Sequence, residues 1–378
     1  MSSLSRKTVA WAAGAVLAVG GCTAGILIAA QGGGPPRTDG AAARATAARP
    51  TPLGLVSVSP VSLSPADGTQ DVDGAADIVV TYNEPLPATA PLPELEPAIA
   101  GSWQRTGDAV IFRPANGYAA DTRVTVTVPG LGNTGAASES SVFMTADYST
   151  LRLQQILAQL GYLPLIWTPA AGAAVPGGSA AAQLSAAYSP PAGTFQWQPG
   201  YPARLHSFWS QGAANTIDQG AVTDFEADHG LPTDGAAGAA VWKALFAAAA
   251  AGERNTHGYS YAIASERLPE SLTIWHDGRL AFSSPANTGV AAAPTASGTF
   301  LVYEKLPFQV MSGTNPDGSH YSDPVSWVSY FNGGDAVHYY PRGSYGWPQS
   351  VGCVELPYSA AKRAYPFLPL GTLVTVAR

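Results

Sequence analysis

Thiols and charge are what this chain lacks. Its 378 residues hold two cysteines, Cys22 and Cys353. One lies in an apolar N-terminal run and the other in a C-terminal loop, which excludes a disulfide framework and leaves Cys353 without a partner in its own chain. Charged residues make up only 12% of the sequence, and a net charge of −7 with no Lys/Arg cluster removes the counterion release on which nucleic-acid binding depends. Nucleic acid is therefore excluded as a partner. In excess are residues that make turns, with 41 Gly and 32 Pro, so the expected architecture is multidomain and mainly β, with two or three domains for this length.

Residues 8–30 carry no charge and follow Arg6 and Lys7, the pattern of an export signal or a positive-inside anchor, and the run is just long enough to cross a bilayer as a helix. Within it Val19-Gly20-Gly21-Cys22 resembles a bacterial lipobox, which makes Cys22 a candidate for lipidation. The apolar Ile26-Leu27-Ile28 that follows favours an uncleaved anchor over residues 1–30. Either reading places the rest of the chain outside the cytoplasm, attached to the cell membrane and facing the cell wall. Residues 31–54, rich in Gly, Pro and Ala with no apolar periodicity, read as a disordered spacer.

From 55 to 147 apolar residues recur with period two, at Ile78, Val80 and Tyr82, at Val110 and Phe112, and at Val124, Val126 and Val128. Turn signals separate these runs at intervals suited to a β-sandwich. The segment resembles bacterial immunoglobulin-like wall domains. Residues 148–252 then predict a small helical bundle. Leu153, Ile156, Leu157 and Leu160 share one helical face, with Ser149 at the N-cap and Gly161 as the stop, and Val222, Phe225, Trp242, Leu245 and Phe246 mark two further helices. Leu157–Tyr162, Ala221–Phe225, Gly230-Leu231, Asp234–Gly238 and Trp242 resemble a peptidoglycan-binding-type domain, here with an insertion at 167–207. From 257 to 378 strand patterns return, including a hairpin that turns at Asp277-Gly278.

The chemistry concentrates in this last part. His338 closes an apolar strand, DAVHYY, and Cys353 follows across the loop PRGSYGWPQSVG. A thiol near its reference pKa of about 8.5 is mostly protonated at neutral pH, so a nucleophilic cysteine needs an imidazole partner. Ser350, Val351 and Gly352 place backbone N–H groups on a tight turn beside the sulfur, an arrangement suited to a developing oxyanion. Trp327, Tyr330 and Trp347 are candidates for a substrate cleft. A metal-dependent alternative takes His320, Asp323 and His338 as zinc ligands with Asp335 as base, but no compact ligand motif such as HExxH supports it, and no cofactor is expected. His206, His229, His257 and His276 are scattered and read as structural or surface residues.

His338 through Pro357, with TGVAAAPTASGTF before and GTLVTV after, resemble the L,D-transpeptidase (YkuD-like) catalytic domain. The resemblance implies a β-rich fold, Cys353 as nucleophile, His338 as base, and the Tyr339 carbonyl as the group that orients the imidazole. It further implies that the amides of Val351, Gly352 and Cys353 hold the oxyanion. The implied activity is acyl transfer through a cysteine thioester on peptidoglycan stem peptides, forming 3-3 cross-links, with carbapenem β-lactams as inhibitors. Two alternatives stay open: L,D-carboxypeptidase action on the same stems, and a catalytically silent wall-binding protein. This sequence departs from the family pattern in two places. Val351 stands where the family has a second histidine, and Glu355 where it has Arg or Asn. A carboxylate there opposes thiolate formation unless it points away or engages a substrate amine.

Overall fold

The structure, a computed structural model, describes residues 58–115, 117–131 and 138–378. The expected anchor (1–30) with Cys22 and the spacer (31–54) lie outside the described residues. Among the described residues, no helix is long and apolar enough to cross a membrane.

Strands Pro60–Ser64, Ile78–Tyr82, Ala109–Pro114 and Gly101–Thr106 form one sheet in that spatial order, and Glu94–Glu96, Arg123–Val128 and Glu139–Met144 form a second. Successive side chains alternate across a strand, so each sheet has one apolar face. Ile78, Val80, Tyr82, Val110 and Phe112 from the first sheet meet Val124, Val126, Val128 and Phe143 from the second in one buried core.

Helix Thr150–Leu160 stops at Gly161, whose φ of 86° lies in the left-handed region that a Cβ disfavours. Ser149 occupies the N-cap position in extended conformation, but its side chain makes no capping bond. The second helix, Thr216–Asp228, begins before the first apolar residue of its pattern because Asn215 caps it, its Oδ1 accepting the Asp218 N–H at 3.0 Å. The third helix is Ala239–Ala251, and Leu157, Phe225, Trp242 and Leu245 pack in a common core. The 167–207 segment is itself built: Leu165–Pro169 pairs antiparallel with Gly193–Trp197, and Ala180–Tyr188 is helical.

Two sheets make up the C-terminal part. The first runs Arg279–Pro285, Ser271–His276, Ser260–Ser265, Leu373–Ala377, Gly298–Leu301. Its hairpin turns at Asp277-Gly278 with φ of 47° and 70°, both positive as a type I′ turn requires. The second runs Glu304–Thr314, His320–Asn332, Asp335–Tyr339, Val354–Leu356, the last pair parallel. Ile274, Leu272, Val374 and Val376 from the first sheet bury against Phe331, Val337, Val354 and Leu356 from the second, joined by Ala361 and Ala364 of helix Tyr358–Ala364. This apolar contact uses one face of the second sheet, and a smaller cluster of Val325, Val328, Tyr330 and Ala336 lies on the other.

Candidate active site

Strand alternation sets out the site. His338 lies opposite Glu355 in the parallel register, while Val337 and Val354 point into the core. Ala336, His338, Cys353 and Glu355 therefore share the opposite face. Cys353 precedes its strand by one residue and packs against Val325, Val328, Tyr330 and Ala336.

His338 is 3% exposed, and its Nδ1 lies 3.0 Å from the Tyr339 carbonyl. A carbonyl only accepts, so Nδ1 carries the proton and Nε2 of the neutral ring is left with its lone pair. Burial pushes the imidazole pKa below its ordinary 6.5, outweighing the Tyr339 carbonyl and the Glu355 carboxylate, so the neutral form prevails at pH 7. Burial also pushes the Cys353 thiol up to about 12, the Asp335 and Glu355 carboxylates adding to it while the Ala336 amide opposes. The pair thus rests as thiol and neutral imidazole. The thiol donates to the Gly334 carbonyl at 3.6 Å, and no hydrogen bond joins it to His338.

The turn before the thiol is tied by Ser350, whose Oγ donates to the Cys353 carbonyl at 2.5 Å and accepts from the Gly352 N–H at 3.2 Å. The Gly352 amide is already engaged, whereas the Val351 and Cys353 amides have no acceptor within the turn. Only glycine fits at 352, where φ is 114° and a Cβ would stand 2.4 Å from Asp335 Oδ1. The loop itself is stitched to the strand end 286–290. Gln349 and Ser350 N–H both donate to the Thr288 carbonyl, Val290 N–H donates to the Ser350 carbonyl, and Glu355 exchanges both backbone bonds with Asn287. Val351 is left 38% exposed.

Glu355 neither points away nor waits for a substrate amine. Arg342 grips both its oxygens, Nε to Oε2 and Nη2 to Oε1, each at 2.7 Å. Sequence reasoning missed Arg342, although a carboxylate beside a thiol calls for a cation. Two further tyrosines, Tyr303 and Tyr321, join Tyr330 close enough to couple to the thiol, their own pKa values raised chiefly by burial.

The other candidates separate. Tyr330 lies beside the thiol, its hydroxyl donating to Gln309 Oε1 at 2.8 Å. Trp347 is 48% exposed. Trp327 is not in the cleft. A register shift after Ser326 and a φ of 62° turn it to the core face, against Tyr358 and Tyr365. The zinc alternative is not assembled: His320 is exposed on the far hairpin near Thr314, and His338 Nδ1 is committed to a carbonyl. Among the described residues, the ligand-type side chains that do gather are Asp224, Asp228 and His257, with His257 Nε2 at 3.4 and 3.1 Å from the carboxylates. His206 stacks on Trp197 and His229 on Phe225, as structural histidines do. A cavity of about 1230 Å³ lies between the sandwich and the helices, walled by Tyr148, Trp242 and Phe246, and contains neither Cys353 nor His338.

Residues 261–376 fit the family model described as the L,D-transpeptidase catalytic domain (YkuD). That span is under a third of the chain and holds both His338 and Cys353. No curated protein matches. Among solved structures, the chain is similar to an L,D-transpeptidase from Mycobacterium smegmatis (16% identity, 84% of this chain and 98% of that chain, TM-score 0.29). It is likewise similar to L,D-transpeptidase 3 from Mycobacterium tuberculosis in complex with a faropenem-derived adduct (16%, 84% and 98%, TM-score 0.30). The catalytic domain of an E. faecium L,D-transpeptidase acylated by ertapenem is 26% identical over 31% of this chain and 96% of that chain, with a TM-score of 0.29.

Proposed function

We propose that this chain is a cysteine-dependent L,D-transpeptidase that acts on peptidoglycan stem peptides from the outer side of the cell membrane, held there by its N-terminal apolar segment. The observation that carries the reading is the family match over 261–376, whose span includes a free thiol and a neutral, carbonyl-oriented imidazole on one face of one sheet.

In the first step the thiol leaves the Gly334 carbonyl and turns to His338. Nε2 takes its proton as sulfur attacks the amide carbonyl between the third and fourth residues of the stem. The C–N bond breaks, the proton passes from Nε2 to the leaving amine of D-alanine, and a thioester remains on Cys353. In the second step the amine of a neighbouring stem attacks the thioester, Nε2 takes the surplus proton, and the proton returns to the departing sulfur, leaving a 3-3 cross-link. The Val351 and Cys353 amides are the donors available to the oxyanion. The Arg342–Glu355 pair neutralises the carboxylate that stood as the main chemical objection to an active site.

The test is an ertapenem incubation of the purified full-length protein, read by intact mass and peptide mapping. Acylation on Cys353, much slower in His338→Ala, is the expected result. A folded protein that takes no adduct on Cys353 refutes the reading.

A further inference from the structure

We propose that Arg342 anchors the terminal carboxylate of the peptide that Cys353 cleaves, so that the site selects stems ending in a free α-carboxylate one residue beyond the scissile carbonyl. This deepens the acyl-transfer reading and rests on it. Three of the guanidinium's bonds to protein are accounted for: Nε to Glu355 Oε2 at 2.7 Å, Nη2 to Glu355 Oε1 at 2.7 Å, and Nη2 to the Gln349 carbonyl at 2.9 Å. Among the described residues Nη1 has no protein partner, it is not among the sealed, unpaired atoms, and the side chain is 27% exposed. The head group also lies over the Tyr340 ring, 4.6 Å from its centre. A fork clamped on three sides with one edge free has little freedom left to lose on binding an anion.

Glu355, which fixes the fork, lies on the same face of the sheet as Cys353, two residues along, and opposite His338 in the parallel register. Glu355 itself is unavailable to substrate, since both oxygens are held, so the pair presents a donor edge to the site and not a carboxylate.

The experiment measures binding directly. Two stem tetrapeptides, identical except that one ends in D-alanine and the other in D-alaninamide, are titrated calorimetrically into full-length Cys353→Ala, which cannot turn them over, and into Cys353→Ala/Arg342→Lys. The acid should bind at least tenfold more tightly than the amide, about 1.4 kcal/mol per tenfold, and Arg342→Lys, which cannot hold Glu355 and a second carboxylate in the same fork, should level the two. Equal affinities in the first protein overturn the proposal. So does an equal drop for both peptides in the second with the acid preference retained, the signature of an arginine that only neutralises Glu355, and so does no binding of either. Ertapenem labelling of the wild type runs alongside. A Cys353 adduct without acid preference sinks the anchor and spares the acyl-transfer reading, while a missing adduct sinks that reading on its own.

Discussion

Gly352→Ala should damage the site more than an ordinary glycine substitution, and the structure says by how much. At 352 the backbone has a φ of 114°, and an added Cβ would fall 2.4 Å from Asp335 Oδ1. The conformational part costs about 1–3 kcal/mol for an L-residue. The contact part forces the Asp335 carboxylate to move, and that carboxylate accepts from the Ala296 N–H at 3.2 Å and the Asn332 amide at 3.3 Å. Losing one hydrogen bond to a charged group costs about 1.5–3 kcal/mol, so the total is about 2.5–6 kcal/mol. Gly318 supplies the control, because its φ is 86° with nothing within 4 Å of an added Cβ. Gly318→Ala should therefore cost only the conformational part, about 1–2 kcal/mol. Scanning calorimetry separates the two, with the catalytic transition lowered by about ten degrees or more for Gly352→Ala and by a few degrees for the control. Ertapenem acylation should fall only in the first variant, whose turn no longer holds the thiol and its flanking amides in place. Equal shifts for both variants, or normal acylation of Gly352→Ala, would refute the argument that Asp335 defines this turn.

Other expectations follow from the same geometry. Glu355→Gln removes a charge that raises the thiol pKa, so alkylation of Cys353 by iodoacetamide, followed in a Cys22→Ser background, should set in at lower pH than in the parent. The folded His338 pKa is depressed, so the stability it contributes is fully present above 6.5 and is lost as pH falls through the lower folded value; the acid limb of ertapenem acylation should accordingly lie below pH 6.5. The folded Cys353 pKa is raised from 9.0 to about 12, so its contribution is fully present below 9.0 and declines as pH climbs toward 12, measurable as a falling urea midpoint of the catalytic domain. Asn215→Ala removes the cap of helix Thr216–Asp228 together with the amide's bond to the buried Asp218 carboxylate and should cost about 1 kcal/mol or more, read from a lowered urea midpoint of the helical segment, with Asn215→Asp failing to restore it because a second carboxylate would then face Asp218.

What could be read before any coordinates follows the reach of each signal. Period-two runs such as Ile78–Tyr82 and the Asp277-Gly278 turn are local, and a strand or a turn with both φ positive satisfies them without help from elsewhere. The carbonyl partner of His338 was legible only through family resemblance, since no spacing rule yields an i to i+1 ring contact. Trp327 was misplaced because a bulge breaks the period on which its facing was inferred, and nothing in VSWVSYF announces a bulge. The 167–207 insertion hid its ribbon behind Pro and Ala, although Leu165 and Trp167 alternate with more exposed neighbours, as a strand should.

Arg342 is the instructive miss. A carboxylate two residues from a nucleophilic thiol has to be neutralised, and the candidate cations were few in a chain with 19 Lys and Arg. Only one of them, Arg342, sits in the loop that returns from His338 to Cys353. Charge balance at a buried position would have picked out this side chain, which neither periodicity nor motif marks. Glu355 stands where the family resemblance leads one to expect Arg or Asn, and the loop brings a positive charge to it from 13 residues away in sequence.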